Sequence, residues 1–139
     1  MVFCDTKRSC DKVAEALQKL GADASALHGD MPQNAREKAL GKFADNKLKI
    51  LVATDVAARG IDIDALERVI NYDLPDEADD YIHRIGRTGR AGNQGEAISF
   101  VSKDDFRNLC AIERRLGHII ERKHIEGFEP KKAVPISIL

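Results

Sequence analysis

Three arginines stand at intervals of three in the segment HRIGRTGR, residues 83–90. Guanidinium groups clustered in this way suit bidentate recognition of phosphate, because each presents a planar fork of N–H donors. The interleaved glycines allow a backbone to approach a ligand closely or to bend out of a helix. A solvated basic surface patch is the alternative interpretation. The segment follows a strand predicted at 68–72, and open α/β sheets bind ligands at the rim beyond the carboxyl ends of their strands. Its position therefore favours phosphate recognition.

The tetrapeptide DEAD, residues 76–79, lies just before these arginines. A catalytic Asp-Glu pair that holds Mg²⁺ should end a buried strand and should accompany a glycine-rich phosphate loop elsewhere. Asp76 instead follows Pro75 at the expected start of a helix. We therefore predict that Asp76 is the N-cap of this helix and that its acidic neighbours complement the helix dipole.

The sequence contains no phosphate loop of the type Gly-x-x-x-x-Gly-Lys-Ser/Thr. Its only Gly-Lys pair, Gly41-Lys42, lies inside a predicted helix and is followed by Phe43. Arginines directed at phosphate without such a loop predict a half-site, in which one domain supplies an arginine to a nucleotide held by another. A more remote alternative is an ATPase that uses the strand end from Ile50 to Asp55 for Mg²⁺.

The elements that must position these groups alternate along the chain. Short apolar runs followed by longer amphipathic stretches predict parallel βαβ units. Strands are predicted at 2–4, 24–28, 49–54, 68–72 and 96–101, and helices after the first strand, from Pro32 to about Asp45, and over 77–86 and 103–116. We predict one α/β domain over residues 1–139, an open parallel sheet with helices on both faces, and a loosely attached tail over 128–139.

Loops beyond the carboxyl ends of the strands are where such a sheet places its chemistry. These loops cover residues 5–8, residues 28–30 with Gln33 and Arg36 following, residues 54–62 and the stretch that begins at Leu74. They bring polar groups, glycines and arginines to one rim. The aromatic residues Phe3, Phe43 and Phe100 are expected in the core, which leaves no evident platform on which bases could stack.

Composition restricts the classes of partner. With 22 basic and 23 acidic residues the net charge is −1, so any nucleic-acid contact must be local rather than a general polyanion-binding tail. Three cysteines without paired zinc spacings predict reduced thiols and no metal site. No signal-peptide core and no apolar run of about 18 residues occurs. We expect a soluble, cytoplasmic protein without a membrane segment.

Four short motifs together resemble one protein family. The segments VFCDTKRS, LHGDMPQNAR, ATDVAARGIDI and YIHRIGRTGR occur in the order and approximate spacing of the second RecA-like domain of DEAD-box RNA helicases, within superfamily 2. Four motifs in order, each in the matching βα context, are far more specific than any one of them. The resemblance spans nearly the whole chain and implies a RecA-like fold.

On the nucleotide side, the resemblance implies a role for five residues. Arg87 and Arg90 match the arginines that reach the γ-phosphate of ATP when the two domains close, and they are the predicted catalytic residues. His83 matches a residue that faces the acidic motif of the first domain across the cleft. Gly60 and Asp62 match positions that contact the ribose of the nucleotide.

On the RNA side, the resemblance implies contacts with the sugar–phosphate backbone from Thr6, Gly29, Gln33, Arg36 and Thr54. Exposed backbone N–H groups at the start of the helix that carries Gln33 and Arg36 favour phosphate. Phosphate contacts position a strand without reading its bases, so we expect binding without sequence specificity. Three further matching residues are expected to brace the loops through salt bridges within the domain: Arg84, Asp55 and Arg59.

The resulting prediction is the C-terminal half of an ATP-dependent RNA helicase. Its partners would be RNA and an N-terminal RecA-like domain that is absent from this chain and that would hold most of the ATP and Mg²⁺. The isolated chain is then expected to be inactive. The alternative function is a stand-alone RecA-like module that binds RNA or a protein without catalysis and does not depend on Arg90.

Overall fold

The structure is a computed structural model that describes residues 1–59, 61, 66–88, 95–128 and 136–139. Within these residues the strands are β1 (Val2–Phe3), β2 (Ala24–Leu27), β3 (Ile50–Ala53), β4 (Arg68–Asn71) and β5 (Glu96–Ser99). The α-helices are α1 (Lys7–Lys19), α2 (Gln33–Ala44), α3 (Asp55–Arg59), α4 (Ala78–Ile85) and α5 (Phe106–Leu116).

The described strands form one parallel sheet in the order β2-β3-β1-β4-β5. The central strand β1 pairs Val2 with Val52 of β3 and with Ile70 of β4. A crossover is needed between parallel neighbours, and the helices supply it. This arrangement confirms the predicted open parallel sheet.

Helices cover both faces of the sheet. Successive residues of β1 point to opposite faces, so each face has apolar side chains to bury. Phe3 belongs to a buried cluster with Ala39 of α2. Val2 belongs to a second cluster with Cys10 and Ala14 of α1. The prediction of helices on both faces is therefore confirmed, and the carboxyl ends of all the strands lie at one edge of the sheet.

Local sequence signals explain where the first helix begins and where the last helix ends. Thr6 caps α1, since its hydroxyl oxygen accepts a hydrogen bond from the backbone N–H of Ser9 at 3.0 Å. Gly117 follows α5 with a φ of 78°, a left-handed conformation that glycine adopts without strain. The predicted helix over 103–116 begins as a 3₁₀ turn at Lys103–Asp105 before it becomes α5.

Three local predictions were wrong. The stretch 54–62 was expected to be a loop, yet Asp55–Arg59 forms the helix α3. This helix has only five residues, which are too few to show a helical apolar period in the sequence. Asp76 does not cap α4, because the N-cap is Glu77 and the carboxylate of Asp76 accepts from Asn108 Nδ2 at 3.1 Å. Phe100 is 46 % exposed, because it lies just beyond the end of β5.

The tail was predicted to be loosely attached over 128–139, and the structure describes only residues 128 and 136–139 of it. At Ser137 the segment is fixed, because this buried hydroxyl donates to Glu113 Oε1 of α5 at 2.6 Å. For the remaining residues the loose attachment stays a prediction.

Candidate functional site

The floor of the candidate site is a buried arginine. Arg84 of α4 is only 2 % exposed. Its Nε and Nη2 donate to the two carboxylate oxygens of Asp55 at 2.7 and 2.6 Å. This bidentate geometry is the strongest that a guanidinium and a carboxylate form. The pair joins α4 to the start of α3, across 29 positions of sequence.

The remaining face of Arg84 is satisfied by the strands. Its Nη1 donates to Asn71 Oδ1 at 3.1 Å and to the carbonyl of Asp73 at 2.8 Å. Its guanidinium carbon lies 5.0 Å from the centroid of the Phe3 ring, within the range of a cation–π contact. Because a buried charge is tolerated only when it is paired and hydrogen-bonded, this set of contacts fixes α3, α4 and β4 relative to one another.

The predicted bracing role is confirmed for these salt bridges. Arg84 and Asp55 form the buried pair described above. Arg59 makes a longer and more exposed ion pair, with its Nη2 3.4 Å from Asp80 Oδ1. Asn71 was missed in the sequence, although a polar residue inside an apolar strand was the available signal. Its side chain is fully buried and also donates to Ser99 Oγ at 3.0 Å.

Above this floor lies a cleft of about 500 Å³ between α3 and α4. Its lining includes His83, Arg87 and Arg59, so that imidazole and guanidinium groups face the open space. The lining also contains the carboxylates of Asp55 and Asp80, which are paired with Arg84 and Arg59. A guanidinium such as that of Arg87 suits an anionic ligand such as phosphate. Two of the five residues predicted for the nucleotide side, His83 and Arg87, are thus brought together.

Arg87 also holds the chain that follows α3. Its Nη2 donates to the carbonyl of Ala58 at 2.6 Å and its Nη1 to the carbonyl of Ile61 at 3.0 Å. The next residue, Thr88, donates through its hydroxyl to the carbonyl of Leu66. The arginine segment therefore fixes both ends of the loop between α3 and β4. The predicted site residues Gly60, Asp62 and Arg90 lie outside the described residues.

The loops predicted to bind RNA are neighbours at the carboxyl edge of the sheet. Gly29 lies beyond β2, Thr54 beyond β3 and Thr6 beyond β1, and these three strands are adjacent. Both threonines cap helices, because Thr54 Oγ1 accepts from the backbone N–H of Ala57 at 3.3 Å, as Thr6 does from Ser9. Their hydroxyls thus already have a structural role.

The other residues predicted for RNA begin α2. Gln33 Nε2 donates to Glu37 Oε1 at 3.2 Å on the helix surface. The Nε of Arg36 is buried and has no hydrogen-bond partner within the described part of the chain.

The loop after β2 is supported by a histidine that the sequence did not single out. His28 is buried, its Nδ1 accepts from the backbone N–H of Asp30 at 3.2 Å, and its Nε2 lies 2.8 Å from Asp11 Oδ1. Since Nδ1 accepts, Nε2 carries the proton and donates to the carboxylate. Lys7 Nζ bonds Asp30 Oδ1 at 2.9 Å, which lowers the pKa of that carboxyl group.

Gly29 lies beside this lysine. A Cβ at Gly29 would lie 3.6 Å from both Cε and Nζ of Lys7, which is ordinary van der Waals contact. The space at Gly29 is therefore not closed by the domain itself.

The acidic tetrapeptide belongs to the surface of the fold. Asp76 contacts Asn108, and Asp79 Oδ1 accepts from Arg115 Nε at 3.3 Å. Among the described residues no group of three or more histidines, cysteines and carboxylates is placed to hold a metal ion. Within the same residues no helix has both the length and the apolar character that a bilayer crossing requires.

Comparison with known proteins gives the family. The helicase conserved C-terminal domain family matches residues 1–92. The ATP-dependent RNA helicase RhlB of Pseudomonas syringae is 51 % identical over 120 residues, which are 86 % of this chain and 30 % of that protein. RhlB of Shewanella putrefaciens is 50 % identical over 138 residues, 99 % of this chain and 31 % of that protein. The chain thus spans less than a third of these curated relatives.

Solved structures agree. The Escherichia coli DEAD-box protein SrmB, bound to regulator of ribonuclease activity A, superposes with a TM-score of 0.89 at 39 % identity, covering 96 % of this chain and 79 % of that one. The Saccharomyces cerevisiae protein Dbp5, bound to RNA and ADP BeF₃, superposes with a TM-score of 0.78 at 41 % identity, covering 86 % and 32 %. The RecA-like fold is thereby confirmed, and the chain belongs to the helicase conserved C-terminal domain family as a C-terminal domain of the DEAD-box RNA helicases.

Proposed function

We propose that this chain is the C-terminal half of an ATP-dependent RNA helicase. It closes against an N-terminal RecA-like domain, and the two domains together hold ATP and RNA. One observation carries the proposal. The cleft above the buried Arg84–Asp55 pair presents His83 and Arg87, while the sequence contains no phosphate loop that could hold a triphosphate alone. Such a cleft suits one side of a composite nucleotide site.

On the nucleotide side, Arg87 and Arg90 approach the γ-phosphate of ATP when the domains close. Negative charge spreads over the phosphoryl oxygens during transfer, and guanidinium groups that are already in position stabilise it. The buried Arg84–Asp55 pair keeps α4 at the correct distance from α3. His83 faces the acidic motif of the other domain, while Gly60 and Asp62 contact the ribose.

ATP is the substrate, and Mg²⁺ bound with it would neutralise part of the phosphate charge. We assign both mainly to the N-terminal domain, which would contribute the phosphate loop and the strand-terminal carboxylates. The contribution of this chain is its guanidinium groups, which is consistent with the arginines that line the cleft. Arg87 also keeps the loop after α3 in place through the carbonyls of Ala58 and Ile61.

On the RNA side, Thr6, Gly29, Gln33, Arg36 and Thr54 grip the sugar–phosphate backbone. Support comes from the adjacency of the three loops that carry Thr6, Gly29 and Thr54. Recognition through phosphates does not read the bases, so the grip is independent of sequence. Dbp5, which is similar to this chain, has been solved with RNA and ADP BeF₃.

The two sides act in one cycle. Binding of ATP and RNA closes the two domains, and the closed pair bends one strand and disrupts a short duplex locally. Hydrolysis removes the γ-phosphate contact that held the arginines, so that the cleft reopens and RNA is released. A cytoplasmic location belongs to the same proposal and is supported by three cysteines that are free thiols.

The proposal is tested in the two-domain enzyme by Arg87→Ala and Arg90→Ala. Each should lower RNA-stimulated ATP turnover by roughly 10³-fold or more, as removal of an arginine finger does elsewhere. Arg107→Ala is the matched control, since Arg107 is an exposed arginine of α5 away from the cleft. Turnover that is unchanged in the Arg90 variant would refute its assignment.

The alternative is a stand-alone module that binds RNA or protein without catalysis. One observation favours this alternative: Arg87 donates to two backbone carbonyls, which gives that arginine a structural role inside the domain. The alternative predicts that Arg90→Ala changes no activity, whereas Arg36→Ala still weakens RNA binding. The paired measurements on Arg90 and Arg36 therefore separate the two functions.

A further inference from the structure

A second groove lies away from the cleft, between the edge strand β2 and helix α2. Its volume is about 620 Å³. The floor is apolar, since it includes the buried side chains of Ala39 and Leu48. The proposed nucleotide and RNA contacts do not use this groove.

Three lysines surround the groove. Lys38 and Lys42 extend from α2 and Lys47 from the turn that follows it, and all three are exposed. None of them forms an ion pair or a side-chain hydrogen bond with any residue that the structure describes. Among the described residues of the lining, Asp23 is the one carboxylate. The groove thus carries a net positive charge that the described part of the domain does not neutralise.

The wall opposite the lysines is the open edge of the sheet. Among the described strands β2 is the outermost and pairs only with β3, so no described strand lies on the other side of its backbone. Two of its carbonyls accept from side chains, that of Ala24 from Gln18 Nε2 at 2.8 Å and that of Ala26 from Ser25 Oγ at 3.4 Å. The side-chain amide donates to a backbone carbonyl at the strand edge, where a peptide N–H from an added strand could donate instead. An exposed strand edge is a template for such an added strand.

We propose that this groove is a docking site for an acidic segment of a protein partner that binds in extended conformation. The main chain of the segment pairs with β2, and its carboxylates face Lys38, Lys42 and Lys47. Alternate side chains of an added strand point to opposite sides, so one set lies over the apolar floor and the other reaches solvent. Charge complementarity selects an acidic partner over a basic one.

RNA fits the groove less well. The described lining contains no aromatic ring on which bases could stack. Along α2, Gln33 and Lys38 are five residues apart and therefore point in directions that differ by about 140°. The groove face of α2 is accordingly not the face assigned to RNA, and a strand edge offers hydrogen-bonding groups that match a peptide backbone.

The test uses a dye-labelled peptide of alternating glutamate and valine as the probe, with an oligouridine RNA as the second probe. Binding is measured by fluorescence anisotropy for the chain, for Lys38→Glu/Lys42→Glu, and for Lys12→Glu/Lys103→Glu. The second pair is the matched control, because both lysines are exposed and lie outside the groove. Amide hydrogen exchange of Ala24–Leu27 is followed with and without the peptide.

The expected result is that the groove variant weakens peptide binding by about tenfold or more, since two favourable charge pairs become repulsive. The control variant should change it by less than about threefold, and the peptide should slow exchange at β2 in the unmodified chain. Equal losses in both variants, or unchanged exchange at β2, would overturn the proposal. So would displacement of the peptide by oligouridine together with loss of RNA binding in the groove variant, because the site would then be a nucleic-acid site.

Discussion

Replacing Arg84 by methionine should destabilise the domain by about 3 kcal/mol. Loss of one partner from a buried ion pair costs about 3–5 kcal/mol, because the other charge stays buried and unpaired. Here the orphaned groups are the carboxylate of Asp55, the side-chain oxygen of Asn71 and the carbonyl of Asp73. The side chain of Asp55 is 26 % exposed, so water relieves part of the cost and we expect the lower end of the range.

The assay is urea denaturation followed by circular dichroism, on Arg84→Met, Asp55→Asn and the double variant. A coupling free energy of about 1–3 kcal/mol between the two positions is expected for residues in direct contact. Arg59→Met is the control, because its ion pair with Asp80 is longer and more exposed and should contribute less than about 1 kcal/mol. A loss in Arg84→Met no larger than in Arg59→Met would refute the reasoning, as would zero coupling with Asp55.

Further predictions concern other parts of the domain. Glu113 is fully buried and its salt bridge with Arg122 holds the pKa of its carboxyl group at about 2, below the usual 4.5. The ionised carboxylate of Glu113 should contribute about 3 kcal/mol to the free energy of unfolding above pH 4.5, and this contribution should be lost as the pH falls towards 2. The free energies of unfolding of Glu113→Gln and of the unmodified chain should therefore converge as the pH is lowered. Thr6→Asp should keep the cap of α1 and the stability of the domain but weaken RNA binding in a filter assay; an unchanged affinity would exclude phosphate contact at Thr6. Arg36→Ala should weaken binding similarly for all single-stranded RNA sequences and reduce the salt slope by about one unit or less, whereas a sequence-selective loss would contradict backbone recognition.

The sheet could be predicted from the sequence because its signals are local. The run Ile50–Ala53 is apolar throughout, as a strand covered on both faces must be. The rim follows from the topology, since the carboxyl ends of parallel strands meet at one edge. The sequence therefore predicts that Thr6, Gly29 and Thr54 lie near one another.

Local sequence patterns do not show which residues pair inside the rim, because the partners are far apart in sequence. The family resemblance implied that Arg84 and Asp55 take part in salt bridges, but no local signal pairs them with each other across 29 positions. The same holds for the pairing of His28 with Asp11, for which no local pattern gives a signal. Phe100 was placed in the core by its residue type, but the end of β5 leaves it at the surface.

The structure also refines what the arginine segment does. The spacing of the arginines indicated phosphate recognition for the whole segment, yet Arg84 is used entirely within the domain. Arg84 lies within α4 and forms the floor of the cleft, whereas Arg87 lies beyond the end of the helix at Ile85 and lines the cleft. Burial, which the sequence does not show directly, separates the two roles.

The central claim is that this chain is half of a composite nucleotide site, and the most direct test is RNA-stimulated ATP hydrolysis by the purified chain. The chain alone should show no turnover above background, whereas a fusion to the N-terminal RecA-like domain of an RhlB relative should hydrolyse ATP in an Arg90-dependent manner. Turnover by the isolated chain that survives rigorous purification and disappears in Arg90→Ala would contradict the claim, because a complete catalytic site would then lie within these 139 residues.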